Sequence, residues 1–327
     1  MTADRRFSPL PHRQRGRTIV ELMVVVALGL VILLGVGTLY LTADRSAQEA
    51  ERGAVIEDSG RVALRIIGDA ARRSRYSEIV STNSLPSNAV LYGSGGAVLL
   101  RGCTGQRFST DEPPECTAVA GAVGDALLVG YQANNVLAST QGPAARDCLG
   151  NTAPNLATTE AISSLGFPTV PVARNIFYLA GNNLMCLGNG NATPQAIVGD
   201  VTDFRVFFGY DDRVKTALPG VGAASLATPP QATSLRTAAY IDAQSGVGDV
   251  PAWNWVVSAV VCLELRGPPN SATAGEQYQP CPRENSTTRL VEETDPIAVP
   301  DTRLRRTYTQ TFAIRSLRAS TLAVNRE

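Results

Sequence analysis

"RGRTIVELMVVVALGLVILLGVGTLYL" runs from Arg15 to Leu41 and holds a single carboxylate, Glu21, at the threshold of twenty residues without a charge, Leu22 to Leu41. Tyr40 is the only ionisable side chain in that run and Thr38 its only other polar one. Wound as an α-helix, such a run is roughly 30 Å long, the thickness of a bilayer's hydrocarbon core. Arg5, Arg6, Arg13 and Arg15 precede it against one acid, Asp4. That bias holds the N-terminus in the cytoplasm and sends the rest of the chain across the membrane. A carboxylate at the edge of the span is costly unless something pairs with it, so its position marks a function.

An ordinary secretory signal has a shorter apolar core followed by a small-residue cleavage site. Here the core is longer, "LYLTADRSA" (Leu39 to Ala47) offers no such site, and no cysteine comes after it as a lipoprotein would need. A plain signal anchor accounts for the hydropathy but gives no reason for Gly16 or Glu21. The stretch "RGRTIVELMVVVALGL" resembles the class III signal of type IV pilins and pseudopilins. The resemblance implies cleavage by a prepilin peptidase between Gly16 and Arg17, methylation of the new N-terminus, and Glu21 as the fifth residue of the mature chain. In such filaments the apolar helices bundle, and that glutamate meets the amino terminus of a neighbouring subunit. Arg17 departs from the family's usual phenylalanine or methionine.

Beyond Leu41 the sequence turns polar but keeps a helical pattern. In "TADRSAQEAERGAVIEDSGRVALRIIGDAARRSRY", Val55, Ser59, Val62, Ile66 and Ala70 recur at steps of three and four, with Ala63 and Ile67 alongside. That spacing predicts one apolar stripe on a charged helix, weakened locally by Gly53, Gly60 and Gly68. The simplest object is one helix over 17–76, its transmembrane part at 22–41 and its second half packed on a soluble head. Two separate helices are the alternative that the glycines leave open. The segment "VIEDSGRVALRIIGDAARRSRY" is similar to the region after the anchor in PilW-type minor pilins.

From Ser77 onward the helical period fades. Short apolar runs alternate with turn-forming stretches: "NAVLY", "AVLLRG", "DALLVGYQ", "NIFYLA", "FRVFFGY", "TAAYID", "WVVSAVVCLELR" and "RRTYTQTFAIRS". These read as strands. In the last, Leu304, Tyr308, Phe312 and Ile314 share one face with Arg306 and Gln310, opposite Thr307, Thr309, Thr311 and Ala313. In the run before it, Ala259, Val261, Leu263 and Leu265 face away from Ser258, Cys262, Glu264 and Arg266. An antiparallel sheet with one face on the long helix fits both, giving an α+β, pilin-like fold with a β-rich head over 77–327. Asn151 to Pro171 and Thr216 to Ser234 read as long surface loops. The resemblance to PilW-type proteins continues through "RDCLG", "NIFYL…NNLMCLG", "VTDFRVFFGYD", the run from Trp253 and "RRTYTQTFAIRS", in that order.

Six cysteines, Cys103, Cys116, Cys148, Cys186, Cys262 and Cys281, form no C-x-x-C pair and have no histidine near them, which speaks against zinc and thioredoxin-type sites. The even count points to three disulfides in an oxidising compartment. Order along the chain suggests the local pairs Cys103–Cys116, Cys148–Cys186 and Cys262–Cys281, and other connectivities stay open.

No reactive constellation stands out. Formal net charge is zero, so bulk charge favours neither nucleic acid nor an anionic surface. His12, the only histidine, would leave with the leader, and a serine triad needs a base. Lys215, the only lysine, sits in "DDRVKTAL" without a nucleophile motif, and G-x-S-x-G, P-loop and dinucleotide patterns are missing. "DAQSGVGD" (Asp242 to Asp249) mimics a calcium loop but lacks its terminal glutamate. Arg303, Arg305, Arg306, Arg315 and Arg318 make a basic C-terminal segment whose members divide between strand faces, so they read as solvated edge charges. No catalytic residue, metal or cofactor is nominated.

The resemblance implies a structural protein of the inner membrane with its head in the periplasm, later part of a surface pilus. Its implied partners are the prepilin peptidase, other minor pilins and the major pilin, and the inner-membrane assembly machinery. The work implied is pilus initiation or tip formation, supporting adhesion, twitching or DNA uptake. A minor pseudopilin of a type II secretion system would share every N-terminal feature. A signal-anchored periplasmic binding module would tolerate loss of Gly16 and Glu21.

Overall fold

The chain after Thr18 enters a single α-helix, α1, Ile19–Arg73, of 55 residues. The structure, a computed structural model, describes residues 18–76, 79–80, 89–90, 99–109, 114–120, 123–132, 146–157, 169–211, 237–242, 256–272, 275–284, 291–292 and 294–314. Gly16, Arg17, Lys215, Arg315, Arg318 and the stretch from Thr216 to Ser234 lie outside these residues. Two units divide the chain, Met1–Glu51 and Arg52–Glu327.

The described part of the first unit is helix from Ile19, apolar from Leu22 to Leu41 and polar after it. Its entry is capped by Thr18, whose Oγ1 accepts from the Glu21 backbone N–H at 3.3 Å while its carbonyl accepts from the Leu22 N–H at 3.2 Å. Thr38 and Thr42 hydroxyls donate back to the Gly35 and Thr38 carbonyls, each at 2.8 Å. These hydroxyls therefore need no outside partner in an apolar medium.

The second unit holds the last turns of α1 and two antiparallel sheets. The first sheet is built from β1 Leu100–Thr104, β2 Asp125–Gln132, β3 Asn155–Ala157, β4 Thr169–Ala180, β5 Asn183–Gly188 and β6 Gln195–Val198. Its order is β6-β5-β4-β2-β1, with β3 also pairing β4. The second, from β7 Val201–Asp211, β8 Thr237–Asp242, β9 Val256–Arg266 and β10 Arg305–Ala313, has the order β8-β7-β9-β10. The eight apolar runs singled out in the sequence all carry strand. Asn151 to Pro171, expected as a loop, holds β3, which pairs Ala157 with Thr169 and Asn155 with Pro171.

One core joins the three layers: Ile56, Ala63, Leu64, Ile67, Ala70 and Ala71 of α1, Leu127, Val129, Phe177 and Leu179 of the first sheet, and Phe204, Phe208, Ala259, Val261, Leu263, Leu265 and Phe312 of the second. The buried helix face matches the expected one in part: Ala63, Ile67 and Ala70 are buried and Ile66 packs against the core. Val55 and Val62 are exposed, and the stripe on the core runs Ile56–Gly60–Ala63–Ile67–Ala70–Ser74. The reason lies in the glycines. A Cβ on Gly60 would sit 2.7 Å from the Tyr308 ring, and one on Gly68 would overlap the Phe312 ring. Both glycines are contact positions that let β10 lie close to α1, and a hydropathy pattern scores them as gaps.

Sheet two also differs on its far side. Ser258, Cys262 and Glu264, expected to face water, are buried. The excursion between β9 and β10 folds back over them: the Cys262–Cys281 disulfide pins it, and the Thr307 hydroxyl donates to the Gln279 carbonyl.

Candidate functional site

Glu21 stands at the third position of α1, exposed, on a helix whose large apolar side chains from Ile19 to Leu41 are also exposed. By length and composition this is a helix able to cross a membrane, and none of its apolar window is buried within the chain. Thr18 and Glu21 have the T-x-x-E spacing of a capping box, and the Thr18 half of that exchange is made. A first-turn glutamate also complements the helix dipole. These two local effects supply a reason for an acid here that the sequence reading missed, and the threonine three residues earlier was its signal.

The head carries three disulfides, Cys103–Cys116, Cys148–Cys186 and Cys262–Cys281, with Cα–Cα separations of 5.6, 6.6 and 5.8 Å. Chain order alone suggests the same pairs. Around the second, "RDCLG" folds into a tight knot. The buried Asp147 carboxylate accepts from the Leu149 and Asn151 N–H groups at 2.9 Å each and from the Gly190 N–H at 3.0 Å. Asn175 Oδ1 accepts from the Cys148 N–H at 2.8 Å. Gly188 and Gly190 are required there, because a Cβ on either would collide with Asp147 or its neighbours. The motif thus closes one end of the first sheet, with the Asp147 carboxylate directed at chain that must stay folded.

A second polar cluster joins the two sheets. Asp125 of β2 is buried; its carboxylate accepts from the Val206 N–H at 2.9 Å and lies 3.4 Å from Arg205 Nη1. Arg205 Nε also reaches the Asp203 carboxylate at 3.0 Å, and Arg283 Nη2 lies 3.6 Å from it. Burial pulls Arg205 down, but Asp203 and then Asp125 outweigh it, and the net shift is upward. Glu264 accepts from the buried Cys281 N–H at 2.8 Å and faces the Tyr278 hydroxyl at 3.4 Å. Burial pushes the Glu264 carboxyl above its usual range, which the Cys281 N–H only partly offsets and Asp203 reinforces. Each acid has a structural partner, and among the described residues no group of three or more His, Cys, Asp or Glu side chains is placed to hold a metal. Of the basic segment, Arg303 faces Asp200 at 3.6 Å, Arg305 faces Asp301 at 3.4 Å and lies over the Tyr278 ring, and Arg306 is exposed.

What fold and site define together is an α+β protein: one unit of helix that is apolar from Leu22 to Leu41, and a second in which the last turns of that helix pack on two antiparallel sheets tied by three disulfides. No protein-family model matches the chain, and no curated protein matches it. Among solved structures it is similar to a type IV-like pilin from Thermus thermophilus, with 11% identity and a TM-score of 0.35, over 80% of this chain and 97% of that one.

Proposed function

We propose that this chain is a minor pilin of the PilW type, working in the initiation or tip complex of a type IV pilus. The observation that carries the reading is α1 itself, one unbroken helix with Glu21 in its first turn, a bilayer-length apolar surface exposed after it, and last turns that lie in the core of a disulfide-bonded head. Residues 1–16 serve as the leader, 17–76 as the anchor and assembly helix, and 77–327 as the head. The prepilin peptidase cuts between Gly16 and Arg17, and the head stands in the periplasm until the subunit joins the pilus. Other minor pilins, the major pilin and the inner-membrane machinery are its partners, and its role is structural rather than enzymatic. Bare apolar helices bury their surface on one another when subunits gather, and Glu21 then pairs with a neighbour's amino terminus. A desolvated pair of that kind fixes register more than it adds stability.

The mature N-terminus tests the reading. Its mass should correspond to a chain starting at Arg17, and Gly16→Leu should leave the precursor in the membrane. Unprocessed wild-type protein in cells with an active prepilin peptidase refutes it. Glu21→Gln preserves the capping-box position, since glutamine caps as glutamate does, and removes only the charge. It should be cut and inserted normally yet fail to co-purify with other minor pilins; normal co-purification would leave Glu21 with its local capping role alone.

A further inference from the structure

The chain contains a single Asn–Gly dipeptide, Asn189–Gly190, in the turn that leaves β5. Asparagine before glycine is the pairing most prone to cyclise, because no side chain hinders attack by the glycine nitrogen on the asparagine amide carbon. Here the fold demands both residues. Asn189 extends the β4–β5 ladder past the end of the strand: its N–H donates to the Arg174 carbonyl at 3.0 Å, its Oδ1 accepts from the Arg174 N–H at 2.9 Å, and its Nδ2 donates to the Val172 carbonyl at 2.8 Å. A primary amide offers that donor and acceptor together, and a carboxylate, which only accepts, does not. Gly190 has no room for a Cβ, which would lie 2.6 Å from the Thr152 carbonyl oxygen and 2.9 Å from Asp147 Oδ2. Its N–H donates to that same Asp147 oxygen at 3.0 Å. Gly190 is nonetheless exposed, so water reaches the dipeptide.

We propose that Asn189–Gly190 is a self-modification site, closed while the knot around Cys148–Cys186 is intact and deamidated when that knot opens. The reaction needs only water. The Gly190 nitrogen gives its proton to solvent base and bonds to Asn189 Cγ. The Cγ–Nδ2 bond breaks, ammonia leaves, and a five-membered succinimide remains, which water opens to aspartate or isoaspartate at this position. In the folded chain both reacting groups are engaged. Cγ can turn toward Gly190 only if both amide bonds to β4 break, and the Asp147 carboxylate at the Gly190 N–H opposes loss of that proton. Asp147 is held in turn by the Leu149 and Asn151 N–H groups, and its neighbour Cys148 is tied to Cys186 on β5. Loss of that disulfide frees the knot from the strand that carries Asn189. The product cannot be re-seated, because a carboxylate has no proton to give the Val172 carbonyl. Deamidation is therefore one-way, and it marks chains that have lost the second disulfide. The site needs only the folded head and is independent of any pilus.

The test follows position 189 by peptide mapping and mass spectrometry while full-length protein in detergent is held at mildly alkaline pH. Wild-type protein with its disulfides intact should keep the Asn189 amide, whereas the same protein unfolded in urea should lose it. Asp147→Asn leaves an oxygen for the Leu149 and Asn151 N–H groups but turns an amide donor toward Gly190. It should speed the loss about tenfold, the worth of one charged hydrogen bond. Cys148→Ser/Cys186→Ser should speed it at least as much. Cys103→Ser/Cys116→Ser removes a bond elsewhere in the head and should leave the wild-type rate. Asn189→Asp carries the carboxylate from the start and should re-form less of the Cys148–Cys186 bond after reduction and reoxidation. Wild-type loss as fast as in urea, Asp147→Asn no faster than wild type, or equal acceleration by the two disulfide variants would each overturn the inference. So would full re-formation of Cys148–Cys186 in Asn189→Asp.

Discussion

Replacing Gly68 with alanine sets two opposing effects against each other. In an exposed helix the change is favourable, because glycine costs about 1 kcal/mol relative to alanine. At Gly68 the new methyl group would fall inside the Phe312 ring, and that ring is fully buried in the core shared by α1 and β10. Phe312 is also held from above by Arg72, whose guanidinium lies 5.4 Å from the ring centroid. Overpacking a filled core costs about 1–3 kcal/mol. Once the gain in helix propensity is subtracted, Gly68→Ala should show a net loss of up to about 2 kcal/mol, with roughly 1 kcal/mol at the middle of the range. Gly53 is the matched control on the same helix, with nothing within 4 Å of its would-be Cβ. Gly53→Ala should gain up to about 1 kcal/mol. Urea unfolding of the full-length protein in detergent, followed by tryptophan fluorescence, measures both. Adding Phe312→Leu to Gly68→Ala should return part of the loss, with a coupling of about 0.5 kcal/mol or more between the two sites. If Gly68→Ala is as stable as Gly53→Ala, the close approach of helix and strand is wrong.

The Cys262→Ser/Cys281→Ser variant should lose roughly 2–5 kcal/mol in the same assay, and peptide mapping of the unreduced wild-type protein should find no free thiol among the six cysteines. The raised Glu264 carboxyl gives stability a definite slope with pH. Because the folded form holds this proton more tightly than the unfolded chain, its contribution is fully present below the ordinary glutamate range and is lost as pH rises through the folded value. Glu264→Gln should flatten that stretch of the stability–pH profile; an unchanged slope would assign it to another group.

The strands were legible because the physics that makes them is local. Runs such as Asp125–Gln132 and Val256–Arg266 are apolar, β-branched and bounded by turn formers, and each became a strand. Helix orientation was less legible. Hydropathy placed Ala63, Ile67 and Ala70 correctly on the core but added Val55 and Val62, whereas the chain buries Ile56, Gly60 and Gly68 instead, because close packing selects glycine for what it lacks. Nor could alternation alone predict a sheet covered on both sides. Glu264 and Cys262 fall on the face that period two assigns to water, and only the return of the chain at Cys281 covers them.

Of the site, the anchor was legible as an apolar run and Glu21 as its one charge, read from the sequence as an assembly residue at the membrane edge and not as part of a helix cap. The geometry adds a competing local reason. Thr18 caps the helix and Glu21 complements its dipole, so an acid at this position is stabilising even in an isolated subunit. The two roles are compatible in sequence and divergent in chemistry. Capping is met by any side chain that can accept from a backbone N–H, and it is satisfied within one chain. Pairing with a neighbour's terminus requires a charge, and only assembly can satisfy it. Glu21→Leu removes the capping-box side chain together with the charge and Glu21→Gln removes the charge alone, so the difference between the two variants isolates the cap within one helix from the charge that the dipole and a neighbour's terminus use.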